Sequence, residues 1–273
     1  MIFDCFSYFN EDLILDLRLN TLDKFVDKFV IVEATKDHAG RNRKLNFQIE
    51  NFKKFKNKIR YIVVEDLPDK VFPFKENRSM WHENHMRDRH QRNQIMRGLF
   101  DAKDDDLILI SDLDEIPDLR KLENVKIKRY AIFFQKIYKY KINLLSESEY
   151  PWQGSRIIRK KFLKSPQWLR NKIYKRIKFW QFHRYLTNPK FIHNGGWHFS
   201  YIMSLEKIKH KIESFAHGEW NSEKFSNIDH IKNQIEAKRD IYNNDRILKK
   251  VEIDNTFPRY ILDNIEKFRE FIV

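Results

Sequence analysis

The sequence feature that most constrains the fold is a run of four apolar residues that ends in two closely spaced aspartates. Leu107–Ile110 is followed by Asp112 and Asp114, with Pro117 shortly after them. A continuous apolar run of this length is typical of a central parallel strand that is covered on both faces. Two side chains that are two residues apart can reach one cation where the chain turns, and Pro117 predicts such a turn. We therefore expect a carboxylate pair at the carboxyl end of a buried strand.

Apolar strands alternate with helical patterns in the first half of the chain, which predicts an α/β fold. Strand-like runs occupy residues 2–9, 29–33 and 59–64, and apolar residues recur at helical spacing over 13–22 and 95–100. Elements in this order form right-handed βαβ units and a mostly parallel central sheet. Helical spacing then returns in the C-terminal portion, at 205–215, 228–241 and 261–271.

The composition favours one large globular domain. The chain has 273 residues, of which 41% are hydrophobic and 15% aromatic, so it can bury a substantial core. No stretch reaches the length of a bilayer span and the N-terminus lacks a signal-peptide pattern, so we expect a cytoplasmic protein. The lone cysteine, Cys5, lies in an apolar run, which predicts a buried, unreactive thiol and no disulfide framework.

Asp112 and Asp114 are the strongest candidates for chemistry. Carboxylate oxygens suit Mn²⁺ or Mg²⁺, and these ions keep open positions for the oxygens of a diphosphate. The alternative is that Asp112 caps a turn and that Asp114 begins a helix together with Glu115. The position of the pair directly after a buried strand favours the metal site.

Several motifs together resemble glycosyltransferase family 17. They are SDLDEIP at 111–117, FNE at 9–11 with the apolar residues 13–19, the strand at 29–33, QRN at 91–93 and GGWHFSY at 195–201. The resemblance covers roughly residues 1–220. It implies a GT-A (Rossmann-like) fold, an inverting mechanism and UDP-GlcNAc or a related donor. We accordingly expect a nucleotide-sugar half at about 1–125, an acceptor half at about 126–225 and a helical extension at 226–273 packed on the domain.

The resemblance assigns roles to residues around the donor. Asp114 would contact the metal directly, and Asp112 would bind the ribose or reach the ion through water. Glu33 stands where GT-A folds place an acidic residue against the uridine, with a solvated strand-end carboxylate as the equal alternative. His198 would be a third metal ligand, and the glycines before it would let the backbone approach the diphosphate. The alternative for His198 is a buried, hydrogen-bonded histidine beside Trp197.

Other residues near the first strand and on the long polar helix are also candidates for binding the nucleotide. Phe9, Asn10 and Glu11 follow the first strand, where the uracil would lie, although Asn10 could instead cap the next helix. Arg92 could pair with diphosphate oxygens, because a planar guanidinium matches phosphate geometry. A solvated helix face is the competing interpretation of Arg92.

The catalytic base and the acceptor site are harder to locate. Inverting transfer needs a carboxylate that takes the proton of the acceptor hydroxyl. Glu219 is our first candidate and Glu115 the second, and either could be an ordinary surface glutamate. Trp152 and Arg156 lie where a GT-A fold builds its acceptor-side loop, and an aromatic face can stack on a sugar ring, although core packing is a common fate of tryptophan.

The formal net charge of +14 is concentrated in one part of the chain. Residues 120–190 carry 20 Lys and Arg against three Glu, a local charge of +17 that leaves the remainder near −3. In a transferase this segment would attract an acidic glycan, a lipid-linked saccharide acceptor or the inner face of an anionic membrane. The alternatives are a nucleic-acid binder, with Tyr138, Tyr140 and Trp168 stacking on bases, or a metal-dependent phosphodiesterase. No nucleic-acid motif supports the former, so no nucleic acid is expected, and SDLDE offers few acidic ligands for the latter.

Overall fold

The computed structural model describes residues 1–68, 80–173, 189–214 and 223–273. Its strands are β1 (Ile2–Ser7), β2 (Lys28–Ala34), β3 (Ile59–Val64), β4 (Leu107–Ile110), β5 (Glu115–Pro117), β6 (Tyr130–Lys139), β7 (Leu144–Ser146), β8 (Trp152–Arg159), β9 (Lys190–Ile192), β10 (Gly196–Ser200) and β11 (Lys249–Lys250). Its α-helices are α1 (Asp12–Leu22), α2 (Met80–Asn93), α3 (Pro166–Arg170), α4 (Leu205–Ser214), α5 (Glu223–Ser226), α6 (Ile228–Glu236) and α7 (Arg259–Asp263). The longer 3₁₀ segments are Ile49–Phe55, Gln94–Leu99, which continues α2, and Ile265–Phe271, which follows α7.

The central sheet confirms the predicted α/β fold, with a parallel half formed by the N-terminal strands. β1 lies between β2 and β4, β3 lies outside β2, and these neighbours are parallel. β8 then joins β4 in the antiparallel sense, β6 joins β8, and β10 runs parallel to β6. The carboxyl ends of β1, β2 and β4 therefore share one edge, which is where ligands of α/β sheets bind.

The parallel strands are buried on both faces because helical segments cover each side. Phe6 and Leu109 belong to one hydrophobic cluster with Leu15 of α1, whereas Cys5 belongs to another with Ile95, which follows α2. Two-sided coverage is what makes such strands continuously apolar in sequence. Cys5 is fully buried, and burial raises the pKa of its thiol, which keeps it protonated and unreactive as predicted.

The C-terminal portion is partly helical and closes one end of the sheet. β11 pairs with β7, α7 packs on α1, and Phe257 and Phe268 are buried in the main hydrophobic cluster. The predicted helix at 228–241 is too long, since α6 ends at Glu236 and Lys238 adopts a positive φ of 54°. Among the residues described, no helix is both long and apolar enough to cross a bilayer.

Candidate active site

A cavity of about 240 Å³ opens at the carboxyl edge of the parallel strands. Of the residues predicted from sequence, seven line it: Phe9, Glu11, Arg92, Asp112, Asp114, Trp152 and His198. Four others do not, namely Asn10, Glu33, Glu115 and Arg156. Glu219 lies outside the described residues. The cavity therefore brings together side chains that follow the ends of β1 and β4 with side chains of β10, which begins more than eighty residues after the end of β4.

The two aspartates lie on a tight turn between β4 and β5. The backbone N–H of Glu115 donates to the carbonyl oxygen of Asp112 at 3.1 Å, and the chain then enters β5, which pairs with β10. The turn is therefore at 112–115 and not at Pro117, which is the last residue of β5. The proline is tolerated there because, among the described strands, this short strand pairs only with β10. The alternative that Asp114 begins a helix together with Glu115 is wrong, because Glu115 is the first residue of strand β5.

A buried arginine of α1 binds the backbone of the turn at 112–115. Its guanidinium donates to three carbonyl groups of the turn at 2.9 to 3.1 Å, those of Asp112, Leu113 and Glu115. This residue, Arg18, also makes two hydrogen bonds with the equally buried carboxylate of Asp4. One planar cation that binds three carbonyl oxygens fixes the backbone that presents the aspartates. Sequence reasoning missed Arg18, although a lone arginine within the apolar run of α1 was an available signal.

Two guanidinium groups bind the carboxylate of Asp112. Arg92 of α2 donates to Oδ1 at 3.1 Å, and Arg170 of α3 donates to Oδ2 at 2.6 Å. Burial by itself raises the pKa of Asp112, but the charges of Arg170 and Arg92 outweigh it and hold the pKa well below its usual range. Arg92 is only 8% exposed and also binds Asp88, so a solvated helix face is the wrong interpretation of this residue.

Arg170 also binds Glu115 beneath the turn. Its two terminal nitrogens donate to both oxygens of Glu115 at 2.7 Å each, and the indole N–H of Trp152 donates to Oε1 at 2.7 Å. Glu115 is fully buried and holds these groups in place, so it cannot meet an incoming acceptor hydroxyl as we predicted for a base. Sequence reasoning missed Arg170, because nothing local distinguishes it from the other cations of the basic segment.

Asp114, His198 and Lys211 meet on the opposite wall of the cavity. His198 Nε2 lies 3.5 Å from Asp114 Oδ1, and Lys211 Nζ lies 3.6 Å from Asp114 Oδ2. Burial raises the pKa of Asp114, whereas His198 and Lys211 lower it, and the net pKa is lowered. His198 Nδ1 is buried with no hydrogen-bond partner in the described part of the chain. The side chain thus turns to the cavity, while Trp197 points the other way and donates to Thr256 O.

Asp114 and His198 fit a divalent cation better than Asp112 does. Ligand atoms about 2.1 Å from one ion lie roughly 3 Å apart when they are adjacent, close to the separation of the Asp114 oxygen and His198 Nε2. Both oxygens of Asp112 instead accept from guanidinium groups. Within the described ranges, no three His, Cys, Asp or Glu side chains are grouped as a ligand set. An ion held by this pair would keep positions open for oxygens of a bound molecule.

The glycines before His198 serve the packing of β10. Gly195 accepts a hydrogen bond from the N–H of Asp118, and Gly196 has a φ of 132°, a value that L side chains rarely adopt. A Cβ on Gly196 would collide with the carbonyl oxygen of Ile116 in β5. Neither glycine lines the cavity, so the predicted approach of this backbone to a diphosphate is wrong. The glycines let β10 lie against β5, which places His198 beside Asp114.

The segment after β1 forms the outer wall of the cavity. The ring of Phe9 lies 4.2 Å from the Arg43 guanidinium carbon and stacks on His210 with ring centres 5.7 Å apart. Glu11 accepts from Lys211 at 3.0 Å, and it occupies the N-cap position of α1, so Asn10 does not cap this helix. Asn10 Oδ1 is buried without a partner among the residues described.

Glu33 supports the cavity from behind its wall. It is fully buried and accepts from Arg43 and from the backbone N–H groups of Asn46 and Phe47 at 2.8 to 3.0 Å, as well as from the hydroxyl of Tyr61 at 2.7 Å. The alternative of a solvated carboxylate is wrong. Contact with a uridine is not supported either, since the carboxylate holds the loop that delivers Arg43 to the cavity.

Trp152 and Arg156 of β8 have different surroundings. The ring of Trp152 lies 5.0 Å from that of His198, on the cavity wall. Arg156 is 3% exposed and donates to the carbonyl oxygens of Gln153, Gly154 and Lys172, so it shapes the backbone and does not face an acceptor as predicted.

The aromatic residues proposed for stacking on nucleic-acid bases do not form a surface platform. Tyr138 and Tyr140 are each 2% exposed and pack inside hydrophobic clusters. Trp168 is partly buried, and the ammonium groups of Lys164 and Lys172 lie 5.8 and 4.6 Å from the centre of its ring. Of the basic segment as far as the structure describes it, these three aromatic side chains therefore offer no stacking platform of the kind that single-stranded nucleic acid uses.

A family model described as Glycosyltransferase family 17 matches residues 1–272. Among solved structures, a protein of Desulfovibrio desulfuricans G20 named as a candidate nucleotide-diphospho-sugar transferase is 9% identical, covering 100% of this chain and 97% of that chain with a TM-score of 0.35. An active-site mutant of LgtC is 13% identical over 70% of this chain and 71% of that chain, with a TM-score of 0.32. At these scores neither likeness supports an argument about activity. No curated protein matches the sequence.

Proposed function

The chain belongs to glycosyltransferase family 17, and from that premise we propose that the cavity binds a nucleotide-sugar donor whose sugar passes to a saccharide acceptor. The observation that carries this proposal is the meeting of Asp114, His198 and Lys211 in one cavity at the carboxyl edge of the parallel strands. A carboxylate, an imidazole and an ammonium together offer partners for a diphosphate and its counterion. UDP-GlcNAc, or a close relative, is the donor that the sequence motifs favour.

Each wall of the cavity then has a role toward the donor. Phe9, whose ring packs against Arg43 and His210, lies on the wall where the uracil ring would bind, with the Arg43 guanidinium beside it. Lys211 is 6% exposed, and its ammonium lies on the cavity wall beside Glu11 and Asp114. There it would pair with a phosphate oxygen in a medium of low dielectric constant, where its charge acts more strongly than in water. A Mn²⁺ or Mg²⁺ ion held by Asp114 and His198 would supply a Lewis acid that neutralises the departing diphosphate.

The transfer exchanges one bond for another at the anomeric carbon. An acceptor hydroxyl oxygen bonds to that carbon while the bond from the carbon to the diphosphate oxygen breaks, with inversion of configuration. The electron pair leaves with the nucleotide diphosphate, and the hydroxyl proton passes to a carboxylate base. Because Glu115 is buried and fully engaged, Glu219 is our candidate for this base.

The test is nucleotide release from a panel of UDP-, GDP- and dTDP-sugars, with and without Mn²⁺. We expect release from one sugar nucleotide that needs the ion and falls at least 100-fold in Asp114→Asn, in line with the loss of a group that stabilises developing charge. Asp105→Asn is the matched control, because Asp105 is an exposed surface carboxylate that pairs with Lys161. Absence of release from every donor, or full activity of Asp114→Asn, would contradict the proposal.

A further inference from the structure

A second cavity, of about 460 Å³, lies beside the first. Four residues line both cavities: Trp152, His198, Ser200 and Tyr201. Its volume falls in the range of roughly 300–1,000 Å³ that is usual for small-molecule sites. Because the two cavities share the wall that carries His198, a molecule in the second would lie next to the reactive end of a donor in the first.

The far wall of the second cavity is the loop between α6 and β11, and this loop is fixed in place. Asp240 is fully buried, accepts from the N–H of Tyr242 at 2.8 Å and binds the ammonium of Lys139. The N–H of Ile241 donates to the hydroxyl of Tyr140 at 3.1 Å. The loop therefore presents Tyr242, and the residues that follow it, to the cavity in a set position.

The chemistry of this cavity is aromatic and polar. The hydroxyl groups of Tyr201 and Tyr242 lie 2.7 Å apart and their rings flank the space, with Trp152 on the side of the first cavity. Ser200 and Asn243 add a hydroxyl and an amide to the lining. Aromatic faces with hydrogen-bonding groups between them suit a sugar ring, whose axial C–H groups are apolar and whose hydroxyls are polar.

The charges of the cavity are paired. Arg246 lies 2.9 Å from one oxygen of Glu149, and Lys139 lies 2.7 Å from the other. Lys139 also binds Asp240, so these two cations and two anions sum to zero. His198, on the wall shared by the two cavities, lies 3.5 Å from Asp114. If His198 is protonated, its positive charge is therefore next to a carboxylate. Both Lys139 and Arg246 are therefore paired at this cavity, and an acidic ligand gains no unpaired lysine or arginine among the described residues that line it.

We infer that the second cavity is the acceptor site and that it takes a neutral saccharide, with Tyr242 and Asn243 as residues that determine specificity. The inference rests on the proposed function and specifies the class of acceptor. It differs from the expectation based on the charge of residues 120–190, which was an acidic or membrane-linked saccharide. A hydroxyl of the bound sugar would face the anomeric carbon of the donor across the wall formed by Trp152 and His198.

Two assays on the full chain separate this inference from the proposed function. Donor hydrolysis in the absence of acceptor reports on the first cavity, and transfer to a panel of p-nitrophenyl glycosides, neutral or carrying a carboxylate or sulfate, reports on the second. In Tyr242→Ala and Asn243→Ala we expect the KM for the neutral acceptor to rise at least tenfold while donor hydrolysis changes less than twofold. Ile247→Ala, on the exposed side of the same loop, is the matched control and should change neither.

The outcomes test the proposed function and the inference about the second cavity separately. If the wild-type chain hydrolyses no sugar nucleotide, the proposed function fails. If hydrolysis is present but anionic glycosides are the better acceptors, or if both variants keep the wild-type acceptor KM, the inference about the second cavity is overturned. Asn243→Ala keeps the test valid should Tyr242→Ala fail to fold, because Asn243 is exposed and its removal opens no space in the core.

Discussion

Replacing Arg170 by alanine is the sharpest test of how the turn at 112–115 is held. Arg170 makes two hydrogen bonds to Glu115 at 2.7 Å, one to Asp112 at 2.6 Å and one to the carbonyl oxygen of Gly154 at 2.9 Å. Glu115 is fully buried, so the substitution leaves an anion in the interior without its cation. Breaking a buried pair in this way costs about 3–5 kcal/mol.

The expected loss of unfolding free energy in Arg170→Ala lies near the lower end of the range of about 3–5 kcal/mol. Two donors to Glu115 remain in the variant, the indole N–H of Trp152 and the backbone N–H of Asp112, and they keep the carboxylate partly satisfied. The contact with Asp112 adds little, because the side chain of Asp112 is 40% exposed and water takes the place of the guanidinium. We therefore expect the free energy of unfolding to fall by about 3 kcal/mol.

Urea unfolding followed by both tryptophan fluorescence and far-UV circular dichroism measures this loss, and coincident transitions establish that one free energy is compared. A fall of about 3 kcal/mol moves the midpoint by roughly 1 M urea at a slope of about 3 kcal/mol/M. Lys161→Ala is the control, since its ion pair with Asp105 is exposed and is worth at most about 1 kcal/mol. In a double-mutant cycle, adding Glu115→Ala should recover part of the loss. Equal losses in Arg170→Ala and Lys161→Ala, or no coupling to Glu115, would refute the reasoning.

Further predictions concern the first cavity and the residues that support its walls. Lys211→Met should raise the KM for the donor about 10- to 100-fold, as the loss of a charge-assisted hydrogen bond worth about 1.5–3 kcal/mol implies, and steady-state kinetics checks it. Gly196→Ala should lower the free energy of unfolding by about 1–3 kcal/mol, as measured by urea denaturation, because the φ of 132° at this position is strained for alanine. Trp152→Phe should keep the fold but lose about 1 kcal/mol through the lost bond to Glu115. Chelation with EDTA should abolish donor hydrolysis, and added Mn²⁺ should restore it; unchanged activity would count against the ion held by Asp114.

Local sequence pattern located much of the site because the relevant signals are short in range. The apolar run Leu107–Ile110 predicted a buried strand, and its end placed Asp112 and Asp114 at the edge of the sheet where the cavity lies. Phe9 was found by the same logic, since it follows the end of β1, whereas His198, in the middle of β10, was found through the resemblance of its motif to GT-A enzymes. The α/β class followed from the alternation of strand and helix spacing.

The sequence by itself determined the four strands of the parallel half, their polar ends and the edge at which a ligand would bind, since periodicity and apolar runs act over a few residues. Only the tertiary structure decided which charges meet there. Arg170 reaches Glu115 across 55 positions of the chain and Lys211 reaches Glu11 across 200, and no local pattern distinguishes either cation from its neighbours. Arg18 is locally distinct as the lone arginine within the apolar run of α1, but its partners in the turn at 112–115 lie more than ninety positions away. Burial selects the few cations whose partners lie within hydrogen-bonding distance, and burial is a property of the packed fold.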